Sequence, residues 1–583
     1  MTSPTAESID KQNGEPAGDT IEVPSNEETS DPPKGRDRTF HTKIIIFVIL
    51  SLVSLAHAFD ATCICVALPT IASELDATVS ESLGLATSFL LTTTIAQPVY
   101  SELSHAIGKK IGYLISVSIF LAGTIVCGVA RSSLVLLVGR TIQGLGAAGP
   151  QALSAMILTD LFPIRQRALF LSLLNISWAL GTVTGPILGG YFTQCENAGW
   201  RWIFWINVPL LSTSFMGAWL LLGYHKPQGR LNHRLRRIDW VGIILFGFSG
   251  VALLLPLSWG GSKYPWKSAK VISPVVLSAI GFIALAVYET FYAKHPMFRP
   301  SVFSNRSTCL QFVNITIHGV LMWMALYYMS VFYLGVKDYS PLKTGVWALP
   351  ATLTVAPIAA FAGWLVAMIG TYHWYIYSGW ALMILAFGLL KAVDENMSTG
   401  IVLFFTFVLG VGMGLLIPAM TFGVQATTSN EDSGHAIATV FVLRSAGQCL
   451  GVAVGLAVFS SRLQVELGKL GYNDDAAQHM MKSMRQSLRT GGPEDWAVIH
   501  AVVTALGVVW ITGCAMASVA GVLTIAIKCP RLPEDDQGPP LVSQATRSLI
   551  QVDEERLSPP GNADIPLANL GTRCCHSRSH QPA

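Results

Sequence analysis

Fourteen apolar segments, each long enough to cross a bilayer, follow one another between residues 44 and 527. A bilayer core needs about 20 apolar residues per helix. Within lipid, only helices and closed barrels satisfy every backbone hydrogen bond, so these segments predict an all-α integral membrane protein. The predicted spans are Ile44–Leu68, Gly84–Ser104, Ile111–Val129, Leu134–Leu158, Ala168–Phe192, Trp202–Leu222, Trp240–Leu257, Val271–Tyr292, Cys309–Leu334, Thr344–Ile369, Tyr372–Leu390, Ile401–Val424, Ala436–Ser460 and Val498–Ile527.

The distribution of basic residues predicts how the chain is oriented. An even number of spans places both ends on one side of the membrane. Eighteen Lys and Arg residues flank the spans on that side, and eight lie in the short connections on the other. Because cytoplasmic connections carry the excess of Lys and Arg, we expect both termini in the cytoplasm. Residues 1–43 and 528–583 are polar and are predicted to be disordered tails.

A short internal repeat predicts that the chain has two related halves. Leu103 and Gly108 follow the second span, and Leu365 and Gly370 follow the tenth with the same spacing. Related repeats of this kind are common in transporters. We therefore expect six-helix halves at residues 44–222 and 308–527, separated at 223–307 by a basic linker and two extra helices.

Composition excludes several classes of function. Only 13% of the residues are charged and 51% are hydrophobic, which is too little charge for a soluble protein of this size. The net charge of +3 and the lack of a basic-aromatic pattern argue against nucleic-acid binding. The sequence has no P-loop, nucleophile elbow or metal-ligand cluster, so we expect neither an enzyme nor a cofactor, and a gradient must drive any uphill transport.

Asp60, within the first predicted span, is the first candidate for chemistry. A carboxylate in a span costs about 2.5–3.5 kcal/mol on insertion scales, so it should face the bundle interior. There it suits a group that takes up and releases a proton, although it could also serve only to fix a helix. His57 lies one turn earlier on the same face and either shares the site or packs.

Arg140 opens a second constellation in the fourth span, which continues through Gln143 and several glycines. A guanidinium keeps its positive charge, so beside a carboxylate it competes with the proton. The alternative is an arginine that extends to the membrane surface. We expect Arg140 to adjust the proton coupling of Asp60.

The second half offers polar and aromatic candidates for a substrate cavity. Arg444 in span 13 could pair with a substrate carboxylate or with a structural partner, and the glycines that follow it every four residues predict a helix contact. The other candidates, each of which could equally be packing residues, are Asn314, His318, Trp323 and Tyr327 in span 9.

The run Gly181-Thr-Val-Thr-Gly185-Pro186-Ile-Leu-Gly189-Gly190 lies inside the fifth span. Small residues let two membrane helices approach closely, and neighbouring helices satisfy the backbone groups that a proline frees. The run therefore predicts a face on which span 5 contacts another helix.

Together these motifs resemble those of the major facilitator superfamily, and in particular its fourteen-span drug:proton antiporters. Phe59-Asp60-Ala-Thr and Val66-Ala-Leu-Pro69 resemble the span 1 signature, and Arg140-x-x-Gln143-Gly144 resembles the span 4 motif. Gly181–Gly190 resembles the antiporter motif of span 5, and Trp200–Pro209 is typical of the start of span 6. The resemblance implies the major facilitator fold, in which two pseudo-symmetric halves rock around a central cavity.

The loop after span 2 departs from the family pattern. The family usually has G-x-L-x-D-R-x-G-R-K, whereas this chain has Ser101-Glu102-Leu-Ser-His105-Ala106-Ile-Gly108-Lys109-Lys110. A histidine supplies no permanent negative charge, so the charge relay that latches the halves depends on another residue, for which Glu102 is a candidate.

We expect a proton-driven exporter of amphipathic organic compounds such as drugs, toxins or secondary metabolites, monomeric and in the plasma membrane. The alternatives are a vacuolar basic amino-acid transporter, a siderophore exporter, and a membrane sensor that does not transport. With cytoplasmic tails, Asn396 begins an outward-facing N-x-S sequon and is a predicted glycosylation site.

Overall fold

The computed structural model describes residues 40–77, 79–162, 164–195, 199–223, 231–236, 238–260, 264–429, 432–472 and 493–528. Within these ranges the regular elements are helices, and no strand is formed. The predicted tails lie largely outside them.

Seven of the described helices build the first half of the bundle. Five are long, and the sixth span is interrupted at Ile206 between a short helix and a longer one. They are α1 (Phe40–Glu74), α2 (Val79–Ile107), α3 (Lys109–Gly128), α4 (Ser133–Leu161), α5 (Ile164–Phe192), α6 (Trp202–Trp205) and α7 (Asn207–Leu221).

A basic connection then leads to the two extra helices. The short helix α8 (Leu231–Leu235) lies in this connection, and α9 (Trp240–Trp259) and α10 (Ala269–Phe291) pack against each other. α9 begins sharply because the Asp239 carboxylate accepts a hydrogen bond from the Gly242 N–H at 2.8 Å, which satisfies a free donor at the helix start.

The second half is again formed by helices, with its second span divided at Ala348. A π-helical turn, Phe332–Val336, extends the first of them. They are α11 (Arg306–Val331), α12 (Pro341–Trp347), α13 (Leu349–Ile369), α14 (His373–Lys391), α15 (Thr399–Thr427), α16 (Ser433–Lys469) and α17 (Pro493–Ile525).

The two halves repeat one pattern of helix contacts. In the first half α1 packs on α5 and α7, α4 packs on α2 and α3, and α3 packs on α7. In the second half α11 packs on α16 and α17, α15 packs on α13 and α14, and α14 packs on α17. Six spans of one half thus correspond to six of the other, which confirms the predicted pseudo-symmetric architecture.

Glycines allow close helix contacts in both halves. Three on α5 lie against α1 and three on α16 lie against α11, in each case four residues apart, and a side chain at any of them would collide with the facing helix. They are Gly181, Gly185, Gly189, Gly447, Gly451 and Gly455.

The halves meet along two seams. α2 packs on α16, and α5 packs on α12 and α13. The extra helix α9 contacts both α2 and α16, so the inserted pair lies beside the first seam. The inserted pair therefore lies on the α2–α16 side of the bundle, away from the second seam, where α5 packs on α12 and α13 (the α5 seam).

Eleven of the described helical segments are long and apolar enough to cross a membrane. The long helices α2, α4 and α5 are not among them and are rich in Ser, Thr and Gly. The predicted fourteen spans are compatible with this set.

The connection between the predicted spans Ala436–Ser460 and Val498–Ile527 is shorter at both ends than those spans imply. α16 continues to Lys469, and α17 begins at Pro493, while residues 473–492 lie outside the described residues. The extension of α16 is polar, but Glu466 pairs with Arg462 and Lys469 at helical spacing. Such pairs stabilise a helix that has left the apolar region.

Candidate functional site

A buried ion pair joins Asp60 of α1 to Arg140 of α4. The Arg140 Nη1 donates to Asp60 Oδ2 at 2.5 Å, and both residues have no exposed surface. Ions removed from water are stabilised only when they are paired and hydrogen-bonded, so each residue depends on the other.

Three further groups hold the Arg140 guanidinium in place. Its Nη1 also donates to Gln143 Oε1 at 2.8 Å, and its Nε donates to the carbonyl of Leu85 at 3.2 Å. Its Cζ lies 4.3 Å from the centre of the Phe89 ring, which is a cation–π contact. Arg140 therefore lies inside the bundle and does not extend to the membrane surface, which was the alternative interpretation.

The network extends from the ion pair to the remaining inner helices of the first half. Asn207 of α7 donates its Nδ2 hydrogen to Asp60 Oδ1 at 3.4 Å, and Gln143 donates to Thr124 of α3 at 3.0 Å. Helices α1, α2, α3, α4 and α7 thus converge on one charge pair. A change in the charge of Asp60 would therefore alter contacts made by all five helices.

His57 lies beside this network without a direct hydrogen bond to it among the described residues. Its ring packs on Phe89 with the centroids 5.5 Å apart, and its Nδ1 is buried without a partner in that part of the chain. The packing alternative fits this placement better than a shared site.

The polar candidates of the second half connect its helices in the same way. His318 of α11 bonds through Nε2 to the carbonyl of Met413 in α15 at 3.2 Å. Asn314, one turn earlier, donates to Thr524 of α17 at 2.9 Å. Both are fully buried, so they hold helices together in this conformation.

The other three candidates lie nearer the boundary between the halves. Tyr327 donates its hydroxyl hydrogen to the Ala61 carbonyl at 3.5 Å, across the boundary, and the Trp323 ring lies 6.3 Å from that of Trp178. Arg444 is partly exposed and donates to Thr421 at 3.5 Å, and no described carboxylate pairs with it.

The glycine motif of α5 makes two different contacts. Gly181, Gly185 and Gly189 lie against α1, whereas Gly190 lies against the backbone of Pro341 in α12. The carbonyl of Pro186 meets Gly345, also in α12. The motif therefore contacts α1 within the first half and, through its last glycine and its proline, α12 of the second half.

The loop after α2 is held to other helices of the first half by its two lysines. Gly108 has a φ of 95°, which favours glycine, and the next residue, Lys109, pairs with Asp160 at the end of α4 at 2.7 Å. Lys110 donates to the carbonyl of Trp219 in α7 at 2.6 Å. The side chain of His105 lies outside the described residues.

Glu102 lies near both the Asp239 carboxylate, which precedes α9, and the Arg299 guanidinium, which follows α10. Arg299 pairs with Asp432 at the start of α16, with Nη1 and Oδ1 3.5 Å apart. Charges of both signs therefore meet where the first half, the inserted helices and the second half come together.

Asn396 is exposed in the connection between α14 and α15, close to the start of α15 at Thr399. Its glycosylation stays a prediction.

Sequence reasoning missed four residues of the ion-pair network, one of which, Leu85, takes part through its backbone carbonyl. Asn207 belongs to the Trp200–Pro209 pattern, which could have directed attention to it. Phe89 and Thr124 stand in ordinary apolar and hydroxyl-rich helices, and nothing in their spacing distinguishes them.

A sequence model described as Major Facilitator Superfamily matches residues 50–452, which include the ion pair, the glycine motif and the chain from α1 into α16. The chain belongs to the Major Facilitator Superfamily. It is accordingly a multi-pass membrane protein of a family of transporters.

Two relatives align over most of this superfamily member. The MFS transporter L2 of Phoma sp. is 38% identical over 494 residues, which cover 83% of this chain and 81% of the relative. The efflux pump FUS6 of Gibberella fujikuroi is 30% identical over 530 residues, covering 88% and 94% respectively.

Solved structures share the superfamily fold. A bacterial homologue of the human lysosomal transporter Spinster, in an inward-facing unoccupied conformation, gives a TM-score of 0.56 at 14% identity and covers 84% of this chain and 98% of its own. An autoinhibited POT family peptide transporter gives 0.57 at 14% identity, covering 85% and 99%.

Proposed function

We propose that this chain is a proton-driven secondary exporter of amphipathic organic compounds, such as drugs, toxins or secondary metabolites. It works by alternating access in the plasma membrane as a monomer, with both termini in the cytoplasm. Export is supported by the 30% identity to the efflux pump FUS6.

The buried Asp60–Arg140 pair is the observation that carries proton coupling. A proton on Asp60 removes the negative charge that Arg140 faces, and a buried unpaired guanidinium is costly. The network must then rearrange, and with it the five helices that meet there. Ala61, next to Asp60, accepts the Tyr327 hydrogen bond from the second half, so the rearrangement reaches the boundary between the halves.

Substrate and proton compete through this boundary. A substrate that binds between the halves favours one arrangement of α1 and α11, and protonation of Asp60 favours the other. Exchange follows when each ligand binds one arrangement more tightly than the other, since a ligand shifts an equilibrium only by its differential affinity.

Efflux from membrane vesicles tests the proposal. Dyes, azoles and aromatic metabolites are loaded and their movement is followed with and without a proton gradient, for the wild type and for Asp60→Asn. We expect efflux that an uncoupler abolishes and that the variant lacks. Binding without gradient-driven movement would contradict transport and support the sensor alternative.

A further inference from the structure

The Trp200–Pro209 pattern contacts α1 at two separate places. One is Asp60, to which Asn207 donates a hydrogen bond. The other is Glu74, the last residue of α1. The Trp200 Nε1 donates to Glu74 Oε2 at 2.6 Å, and the next residue, Arg201, donates through Nη1 to Glu74 Oε1 at 2.7 Å. In the proposed orientation, this end of α1 lies on the outer side of the membrane.

The Arg201 guanidinium also reaches a third element. Its Nη2 donates to the carbonyl of Ala130, in the connection between α3 and α4, at 2.9 Å, and its Cζ lies 4.2 Å from the centre of the Trp200 ring. A planar guanidinium that binds two acceptors and packs on an aromatic ring is fixed in orientation. We call Glu74, Trp200, Arg201 and the Ala130 carbonyl the outer clamp. It joins the outer end of α1 to the start of α4, the two helices of the ion pair.

Buried aromatic rings connect the outer clamp with the ion pair. Trp200 is 1% exposed, and its ring meets that of Phe204 edge-on, with the centroids 6.2 Å apart. The centre of the Phe204 ring lies 6.0 Å from Arg140 Cζ. Trp200, Phe204 and Asn207 are four and three residues apart, which places them on one face of a helical segment. That face reaches from the outer clamp to both charges of the ion pair.

The stretch of α1 between the two contacts is a place where the helix can bend. Pro69 lies inside it, and a proline within a helix removes a backbone hydrogen bond. The same stretch begins at Ala61, whose carbonyl accepts the hydrogen bond of Tyr327 from the second half. Separation of the halves therefore pulls on this stretch. The outer clamp lies wholly within the first half, so it retains the outer end of α1 there.

We propose that Glu74 is a positioning residue for proton coupling, which holds α1 against α4 through Trp200 and Arg201 while Asp60 carries a proton. The inference rests on the proposed export function and adds to it a requirement for tight coupling. A proton on Asp60 weakens the ion pair, and the outer clamp then still joins the two helices. When the helices part at that stage, water reaches Asp60 and the proton leaves without exchange for substrate.

The test measures proton movement through the full chain in proteoliposomes, with a trapped pH-sensitive dye, a proton gradient and no exported compound. Glu74→Gln removes the charge that Arg201 binds but keeps an oxygen for the Trp200 donor. Arg201→Gln removes the same ion pair from the other side. The control is Asp338→Asn, which removes an exposed carboxylate from the connection after α11.

We expect proton movement without substrate to rise about fivefold or more in Glu74→Gln and in Arg201→Gln, which corresponds to about 1 kcal/mol. The double variant should rise no further than either single variant, because the two residues act through one contact. Asp338→Asn should move protons like the wild type. All variants should bind an exported compound as the wild type does, which shows that they are folded.

In a wild type that exports, proton movement in Glu74→Gln equal to that of the wild type would overturn the inference. A rise of the same size in Asp338→Asn would also overturn it, as would a double variant in which the two single rises multiply.

Hydrogen–deuterium exchange of α1 and α4 in nanodiscs separates this inference from the export proposal. If the wild type shows no gradient-driven efflux but Glu74→Gln exchanges faster around both Asp60 and Arg140, export fails and the positioning by Glu74 stands. If the wild type exports and Glu74→Gln changes neither exchange nor proton movement, only the positioning fails.

Discussion

Asp60 and His318 lie on the first helices of the two halves, α1 and α11, and both are fully buried. Each also reaches the helix that corresponds to α4 in its own half, Asp60 through Arg140 and His318 through the carbonyl of Met413. The two sites are related by the pseudo-symmetry, but among the described residues only the first contains an ion pair.

This difference predicts that the first half alone carries proton coupling. His318→Gln keeps a donor for the Met413 carbonyl, so transport should fall by less than about tenfold, since one hydrogen bond contributes about 1 kcal/mol. Its dependence on the proton gradient should be unchanged. The check is transport rate against ΔpH for this variant. Loss of the ΔpH dependence in His318→Gln would show that the second half also couples.

Removal of Arg140 should destabilise the protein more than removal of both charges. Arg140→Met leaves Asp60 buried without its partner, and breaking a buried pair in this way costs about 3–5 kcal/mol. Adding Asp60→Asn to Arg140→Met should recover part of that loss. Unfolding in detergent, followed by tryptophan fluorescence, measures both. A double variant that is less stable than Arg140→Met would contradict the pairing.

The two contacts of the glycine motif should respond differently to substitution. Gly185→Ala inserts a Cβ against Thr62 within the first half and should lower stability by about 1–3 kcal/mol through overpacking. Gly190→Ala inserts one against Pro341 across the halves and should reduce transport with a smaller loss of stability. Gly388→Ala, where a Cβ meets nothing within 4 Å, is the control. Melting temperature and efflux rate, measured together, separate these effects.

Arg444 should favour substrates that carry an acidic group. The residue as a whole is partly exposed, its Nε is buried without a hydrogen-bond partner among the described residues, and no described carboxylate pairs with it. A hydrogen bond to a charged group contributes about 1.5–3 kcal/mol, so Arg444→Gln should weaken binding of a carboxylic acid by roughly tenfold or more. Binding of its methyl ester should change little. Equal losses for acid and ester would assign Arg444 a structural role.

The Arg299–Asp432 pair should add no pH dependence in the physiological range. Hydrogen bonds from Ser301, and also from Ser429 and Arg299, lower the pKa of Asp432 from its ordinary value. A lowered pKa means that the pair is present above about pH 3.9, the unperturbed value, and is lost only as the pH falls through the folded-state value. Wild type and Asp432→Asn should therefore have transport profiles of the same shape from pH 5 to 8. A change in transport between pH 5 and 8 that is present in the wild type and absent from Asp432→Asn would contradict this.

The sequence predicted the fold well because every span is constrained by the same physical rule. Helix ends were less predictable, as α16 shows, since ion pairs at helical spacing prolong it beyond the apolar region. The two charges of the site could be found because intramembrane charges are costly. The sequence also led us to expect that Arg140 acts on Asp60. The direct contact between the two could not be derived from it, because α1 and α4 are brought together only by the packing of the whole half.

Contacts between the halves were the least accessible to sequence reasoning. The glycine run predicted a contact face, but not that Gly190 contacts α12 whereas Gly185 contacts α1. A cavity between the halves, beside Trp347, is lined by residues of α5, α11, α12, α13 and α15. Most of these residues are apolar, and nothing in their own segments distinguishes them.

Proton movement in proteoliposomes is the most direct test of coupling through the Asp60–Arg140 pair. A trapped pH-sensitive dye reports protons that move when an exported compound found in the vesicle screen is added. We expect substrate-dependent proton movement for the wild type and none for Asp60→Asn, which still binds the compound. Proton movement of equal size in Asp60→Asn would contradict the assignment of coupling to Asp60.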